Sequence, residues 1–200
     1  MMEINNTPMI GLLFQRLAES KKITKIMLAT SIAPSNDPLE KYINSLNYSV
    51  YRGDESNVLD RYYRAAKQEN ADVVVRITGD CPLIDSGLID EVIDGFINSN
   101  ADYASNREPP TYPDGLDVEV ISIMALEEAS RKATEDFEKE HVTPYIINSD
   151  NFSKFYLKNT EDLSRERWTV DEPEDFVVVK GVFQAFYPKL HFSWREVIEL

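Results

Sequence analysis

The chain has 200 residues, 42% of them hydrophobic, which suits one domain of ordinary size with a real core. Its formal net charge of −14 speaks against nucleic acid or a membrane surface as partner, since both recruit basic patches. A phosphate ligand would need a metal ion or a local cluster of Arg and Lys to offset that charge. Cys81 is the only cysteine, so an intrachain disulfide and a Cys-based zinc site are excluded, and two histidines, His141 and His191, argue against a His-rich metal site. No stretch approaches the length of a membrane span, and the start lacks the pattern of a secretory signal, so a cytoplasmic location is expected.

The elements alternate from the beginning. Ile10, Leu13, Phe14 and Leu17 fall at helical spacing. Lys25–Thr30 reads as a strand, and a helix with Leu39, Tyr42, Ile43 and Leu46 on one face follows it. Ser49–Arg52 is a short strand that Gly53 ends. Ser56 is placed as the N-cap of a helix carrying Val58, Leu59, Tyr62 and Ala66. Ala71–Asp90 then organises the whole chain. Three consecutive valines, Val73–Val75, predict a strand buried on both faces. The strand breaks at Thr78-Gly79-Asp80-Cys81-Pro82, where Gly79 is expected to supply an unusual backbone shape and Pro82 to block continuation. Asp85 is set to cap a helix whose apolar face is Ile89, Val92, Ile93, Phe96 and Ile97. Strands and helices in this order imply βαβ units and a largely parallel sheet.

The second half is less regular. Asp102–Ser105 and Leu116–Ser122 read as strands around a loop, Asn106–Asp114, with three prolines. Ile123–Lys132 and Lys139–Asn148 look helical, with Pro144 kinking or restarting the second. Lys154–Leu157 and Arg167–Val170 are candidate strands, Pro173 opens a helix through about Phe186, and the tail ends in one more short helix. With no repeat or composition break, residues 1–200 are assigned to a single domain.

Two acids stand at strand ends. Asp80 should sit just past the carboxyl end of the central strand, where open α/β sheets bind ligands; the alternative is a turn aspartate serving nearby N–H groups. Asp171, in RWTVDEPEDF, repeats that placement, although with Glu174 three residues on it also fits a helix cap. Two carboxylates brought together there could hold one Mg²⁺, which favours oxygen ligands and keeps several waters. Tyr62 lies on an apolar helical face and is assigned to packing, with solvated arginines beside it; Cys81 is read as a small buried side chain.

Five segments, GDESNVLDRYYRAA, VRITGDCPLID, YPDGLDVEV, EHVTPYI and RWTVDEPEDF, occur in an order that resembles the spore-coat-polysaccharide type of cytidylyltransferase, related to the enzymes that activate acidic sugars with CTP. The resemblance implies the nucleotide-diphospho-sugar transferase fold, an α/β domain with a mixed, mainly parallel sheet flanked by helices. It implies attack of a sugar oxygen on the α-phosphate of CTP, giving a CMP-sugar and pyrophosphate, with CTP and a sugar as partners and a homo-oligomer possible. On it, Asp80 and Asp171 are the catalytic Mg²⁺ pair. Arg52, Gly53, Arg76 and Gly79 lie by the nucleotide, and Asp114, Asp117, Glu140 and His141 by the sugar. Asp114, Gly115, Asp117 and Glu119 alternate on a strand and could equally face water; His141 reads as readily as a helix-surface or core histidine.

The same resemblance marks a departure. Family members open with a strand and a phosphate-cradling loop of the form QARxxSxRLPxK, and these 200 residues contain neither; they also stop short of the family's usual end. The missing strand would lie between Lys25–Thr30 and Asp72–Ile77, so the sheet is expected to be open there and the chain prone to self-association. Two other functions compete: a non-catalytic nucleotide-binding relative or partner subunit, and a glycosyltransferase using a nucleotide-sugar donor. TGDCP lacks the Asp-X-Asp spacing that the latter would favour.

Overall fold

The computed structural model describes residues 1–200. A short hairpin, β1 (Glu3–Ile4) and β2 (Thr7–Pro8), precedes helix α1 (Met9–Leu17). Then follow β3 (Met27–Ser31), a 3₁₀ turn at Pro34–Asn36, α2 (Asp37–Ser45), β4 (Ser49–Gly53) and α3 (Val58–Gln68). β5 (Val73–Arg76), expected as a central strand but found at the edge of its sheet, leads to α4 (Ser86–Ser99). The remainder runs β6 (Tyr103–Ser105), β7 (Glu119–Ser122), α5 (Ile123–Lys132), α6 (Asp136–His141), α7 (Pro144–Asn148), β8 (Lys154–Tyr156), α8 (Pro173–Phe186) and α9 (Trp194–Ile198).

The α/β expectation holds, with parallel and antiparallel pairs both present. β3 and β4 pair in parallel, Met27 opposite Ser49. The larger sheet has the order β5-β7-β6-β8: β7 is antiparallel to both β5 and β6, and β8 is parallel to β6. Period-two alternation divides this sheet between two cores. Val75, Val120 and Ala104, neighbours in register, face α1 and α4 with Leu13, Ile89 and Phe96. Val74, Ile121 and Tyr103 face α3, α5 and α7 with Leu59, Leu126 and Ile146. A third core joins the hairpin, α8 and α9 through Ile4, Leu83, Trp168, Phe183 and Trp194. No helix is long and apolar enough to cross a membrane.

Several local expectations change. The N-cap of α3 is Asn57, whose side chain accepts from the Asp60 N–H at 3.0 Å; Ser56 instead donates to Asp54. Asp85 does cap α4, accepting from the Leu88 N–H at 2.9 Å, and its other oxygen accepts from the Trp194 N–H at 2.8 Å, tying the tail to this turn. Of the two outcomes expected for Lys139–Asn148, the restart is found: the chain breaks at Val142, with φ of 72°, and Pro144 opens α7. Residues 116–118 are not in the ladder because the buried Asn106 side chain takes its place, donating to the Leu116 carbonyl at 2.8 Å and accepting from the Val118 N–H at 2.9 Å. Arg167–Val170 forms no strand, only an isolated parallel bridge from Arg167 to Asp114.

The sheet is open where the resemblance placed a gap. β3 and β5 belong to separate sheets, and a cavity of about 1050 Å³ lies between them, lined by Lys22–Ala29 on one side and Ala71–Gly79 on the other. The N-terminal residues do not fill it; they form the β1–β2 hairpin and bury Ile4 in the third core.

Candidate active site

The carboxyl end of β5 meets the amino end of β7, because Arg76 pairs in register with Glu119. Glu119 is 1% exposed and serves as the acceptor of a buried hub. It forms an ion pair with Arg76, and its Oε1 accepts from Tyr103 Oη and from Thr143 Oγ1, each at 2.7 Å. Burial opposes the Arg76 charge, but the Glu119 carboxylate more than offsets it and holds the guanidinium above its ordinary pKa. The same guanidinium lies 5.8 Å from the Tyr62 ring centroid, and its Nε is buried without a partner. Tyr62 is thus core packing, as expected. Arg61 is not simply solvated: it donates to the Asp54 carbonyl at 2.8 Å, while its Nε is buried and unpaired.

Arg107, at the end of β6, reaches Asp117 at 3.1 Å and Glu119 at 3.9 Å. Burial pushes the Asp117 carboxyl up to about 6, although Arg107 works in the opposite direction. Three acids and two arginines therefore share the mouth of the sheet, with Asp114 the third acid.

Asp80 and Asp171 approach through the backbone. The Val170 N–H donates to the Asp80 carbonyl at 2.8 Å, and the Trp168 N–H to the Asp114 carbonyl at 2.7 Å. The segment before α8 is laced to the two loops that end the sheet. Gly115 makes this close approach possible: its φ is +103°, and a Cβ there would sit 2.5 Å from the Thr169 nitrogen. Arg167 fastens the outside of the same corner, donating to Asp114 at 3.1 Å, Asp171 at 2.7 Å and Asp175 at 3.0 Å. The N-cap of α8 is Glu172, not Asp171, and Asp175 rather than Glu174 completes the capping box: Asp175 Oδ2 accepts from the N–H groups of Asp171 at 3.0 Å and Glu172 at 2.9 Å. Those bonds and Arg167 hold the Asp175 carboxyl well below the usual carboxylate range. The Asp171 carboxylate is held by Arg167.

The other expected site residues divide. Gly79, Arg76, Glu140 and His141 all line the cavity, and the His141 ring packs tilted against Phe137, at 57° with centroids 4.4 Å apart. Gly79 does not have the unusual backbone assigned to it: Gly115 is the positive-φ glycine, and a Cβ at Gly79 would meet nothing closer than Ile10 at 3.7 Å. Arg52 spends its donors locally, on the Ser31 carbonyl at 2.6 Å, the Ala33 carbonyl at 2.9 Å, Asp37 at 3.0 Å and Glu40. It braces the turn after β3. Gly53 lets Arg61 pass, with Arg61 Cγ 2.9 Å from where a Cβ would stand. Burial pushes the Cys81 thiol up, as suits the small buried side chain expected.

Sequence reasoning missed Arg107, Arg167, Tyr103 and Thr143. Arg167 carried no local signal, since the segment before Pro173 is not helical and its partners Asp114, Asp171 and Asp175 meet it through the fold.

A cytidylyltransferase family profile matches residues 1–185. The chain belongs to the cytidylyltransferase family. That membership places it among the nucleotidyltransferases. It is 37% identical over 202 residues to an uncharacterized protein of Methanocaldococcus jannaschii, covering 100% of this chain and 82% of that one. It is 29% identical over 205 residues to the spore coat polysaccharide biosynthesis protein SpsF of Bacillus subtilis, covering 98% and 84%. The structure of a cytidylyltransferase from Leptospira borgpetersenii superposes with a TM-score of 0.94 at 31% identity, covering 99% of this chain and 84% of that one. The family resemblance read from the five segments is borne out.

Proposed function

We propose that this cytidylyltransferase-family chain joins CTP to a sugar, releasing pyrophosphate and forming a CMP-sugar for a surface polysaccharide. The single observation that carries the site assignment is the 2.8 Å hydrogen bond from the Val170 N–H to the Asp80 carbonyl, which sets Asp80 and the residue after Val170, Asp171, at one corner of the sheet. No three or more His, Cys, Asp or Glu side chains gather into a metal cluster. A pair of carboxylates at the phosphate end suits Mg²⁺, which takes one or two protein carboxylates and completes its shell with water and phosphate oxygens. Bound there, the ion would neutralise charge developing on the phosphates.

The protein's own groups divide the remaining work. Arg76 and Arg107 place positive charge beside an acidic corner, and Glu119 fixes Arg76 in direction. Arg167 orients Asp171. Asp114 and Asp117 offer acceptors for sugar hydroxyls, and Glu140 and His141 line the cavity between β3 and β5. The relative named for spore coat polysaccharide biosynthesis supports the polysaccharide assignment.

The test is nucleotide preference together with pyrophosphate release. With Mg²⁺, CTP should raise the melting temperature more than ATP, GTP or UTP, and pyrophosphate should appear with at least one acidic or neutral sugar. Turnover should be slow, because positioning supplies much of the catalysis of phosphoryl transfer and the sheet beside Asp80 is open. Equal shifts with all four nucleotides would overturn the reading.

A further inference from the structure

Val142 breaks a pattern that the rest of the chain keeps. Six non-glycine residues have positive φ, and the other five, Asn5, Asn6, Asn47, Asn70 and Asn100, are all asparagines, the side chain that tolerates this backbone best. Val142 is β-branched. At φ 72° and ψ −54° it is the centre of a γ-turn of the rare, strained kind, closed by the Thr143 N–H on the His141 carbonyl at 2.8 Å. Strain of this sort persists only where surrounding contacts over-determine it, and it collects at functional sites. Two contacts hold it here. The Val142 side chain is fully buried with Ile121, Leu126 and Ile146. The Thr143 hydroxyl donates to Glu119 Oε1 at 2.7 Å. The turn thereby separates two neighbours: His141 stays on the cavity lining, while Thr143 is buried on the Glu119 hub.

We infer that Thr143, aimed by the strained turn at Val142, is a positioning residue for Arg76 and through it for the nucleotide. The inference rests on the reading of Arg76 as a nucleotide contact. Glu119 divides its two oxygens: Oε2 pairs with Arg76 Nη1, and Oε1 accepts from Tyr103 Oη and Thr143 Oγ1. A carboxylate gripped at one oxygen can swing about its last torsion. Two hydroxyls arriving from different elements, β6 and the start of α7, fix that torsion. Burial and the Glu119 charge push the Tyr103 hydroxyl well up, so it stays a donor near neutral pH. Tyr103 reaches the carboxylate by the length of its side chain. Thr143 has a short one and reaches it because the backbone turns at Val142. Arg76 lines the cavity, so the direction set at Glu119 is the direction its guanidinium presents there. Its Nε is buried without a partner, which leaves Glu119 as the group that orients it.

Thr143→Val keeps the side chain's shape and removes the hydroxyl, and Thr143→Ser keeps the hydroxyl. The side-chain N–H resonances of Arg76 report its order without any nucleotide, and titration calorimetry reports CTP affinity. In Thr143→Val the Arg76 Nε–H signal should broaden and exchange faster with water. CTP should bind about tenfold more weakly to it, the scale of one hydrogen bond to a charged group. Thr143→Ser should restore both. The turn itself is read by Val142→Ala and Val142→Gly. If packing alone mattered, alanine would serve better, because it buries more. Glycine takes the positive φ without strain, so it should keep the sharper Arg76 signal and bind CTP about fivefold more tightly than alanine does. An Arg76 signal unchanged in Thr143→Val would overturn the inference, as would alanine equalling or exceeding glycine at position 142. An Arg76 signal that behaves as expected, in a chain that binds all four nucleotides alike, would instead overturn the reading of the site as one for CTP.

Discussion

The Val170 N–H donates to the Asp80 carbonyl across 2.8 Å, and through it two segments far apart in sequence end at one corner. Asp80 closes the loop after β5, and Asp171 opens the approach to α8. Their side chains differ in what holds them. Asp171 is bound by Arg167 at 2.7 Å, whereas the Asp80 carboxylate accepts from the Cys81 thiol at 3.6 Å.

If the two aspartates share a cation, each should be needed for it. Mg²⁺ should raise the melting temperature of the native chain in the presence of CTP, and Asp80→Asn and Asp171→Asn should each remove that Mg²⁺-dependent part. Turnover should fall by about 10²–10³ in each, the range seen when one preorganised electrostatic group is lost at a reacting centre. Both substitutions keep the size of the side chain, and neither removes the backbone bond that joins the two segments. A Mg²⁺-dependent shift that survives both would place the ion elsewhere.

Glu119 carries a prediction about stability. It is 1% exposed and balances Arg76 while accepting from Tyr103 and Thr143. Glu119→Ala strands a buried guanidinium and two hydroxyls, and should cost about 3–5 kcal/mol of unfolding free energy, the usual penalty for breaking a buried ion pair from one side. Glu119→Gln keeps an acceptor oxygen and should cost less, about 1–3 kcal/mol. Urea unfolding at pH 7 separates the two. Equal midpoints for Glu119→Ala and the native chain would mean that water replaces the carboxylate and that the hub contributes nothing.

Much of this architecture could be read from residue order, and what could not has a common cause. Helices with clear periodicity came through: Ile10 to Leu17 forecast α1, and Pro173 forecast the start of α8. Val73–Val75 marked a strand by its apolar run, but the burial on both faces expected of it is not found: β5 is an edge strand, with Val73 41% exposed and Val74 and Val75 only partly buried. The failures lie where a side chain takes over the work of backbone. Asn106 replaces ladder bonds at residues 116 and 118, so an alternating sequence there is strand-like in pattern but not in pairing. Glu172, not Asp171, is the N-cap of α8, with Asp175 as its capping-box partner, and Arg167 pairs with Asp114, Asp171 and Asp175 at that corner. Arg52 illustrates the limit for site residues. The family resemblance put it by the nucleotide, while here its donors meet two carbonyls and two acids of the adjoining turn and helix. Long-range partners of this kind leave no local period in the sequence.

Asp117 gives a pH signature with a definite sign. Burial raises its carboxyl to about 6, with Asp114 and Glu119 adding to the rise and Arg107 and Arg76 opposing it. Below the ordinary carboxylate range the group is protonated whether the chain is folded or not, and it contributes no pH dependence. Between about pH 4 and pH 6 the unfolded chain has given up this proton while the folded chain still holds it. The folded state then binds more protons, so this group's contribution to stability falls as pH rises through that window and stays low above it. Asn at this position mimics the protonated form throughout. Asp117→Asn should therefore match the native chain near pH 4 and become progressively more stable than it by pH 7, with the gain levelling off above about pH 6. The comparison must be made between the two chains at each pH, since Asp175 and Glu196, both held below their ordinary values, lose their stabilising effect in more acidic solution and cancel in the difference. Thermal melts from pH 4 to pH 7.5 provide the measurement. A difference between the chains that does not change with pH would show that Asp117 ionises as freely as an exposed carboxylate and that Arg107 at 3.1 Å fully compensates its burial.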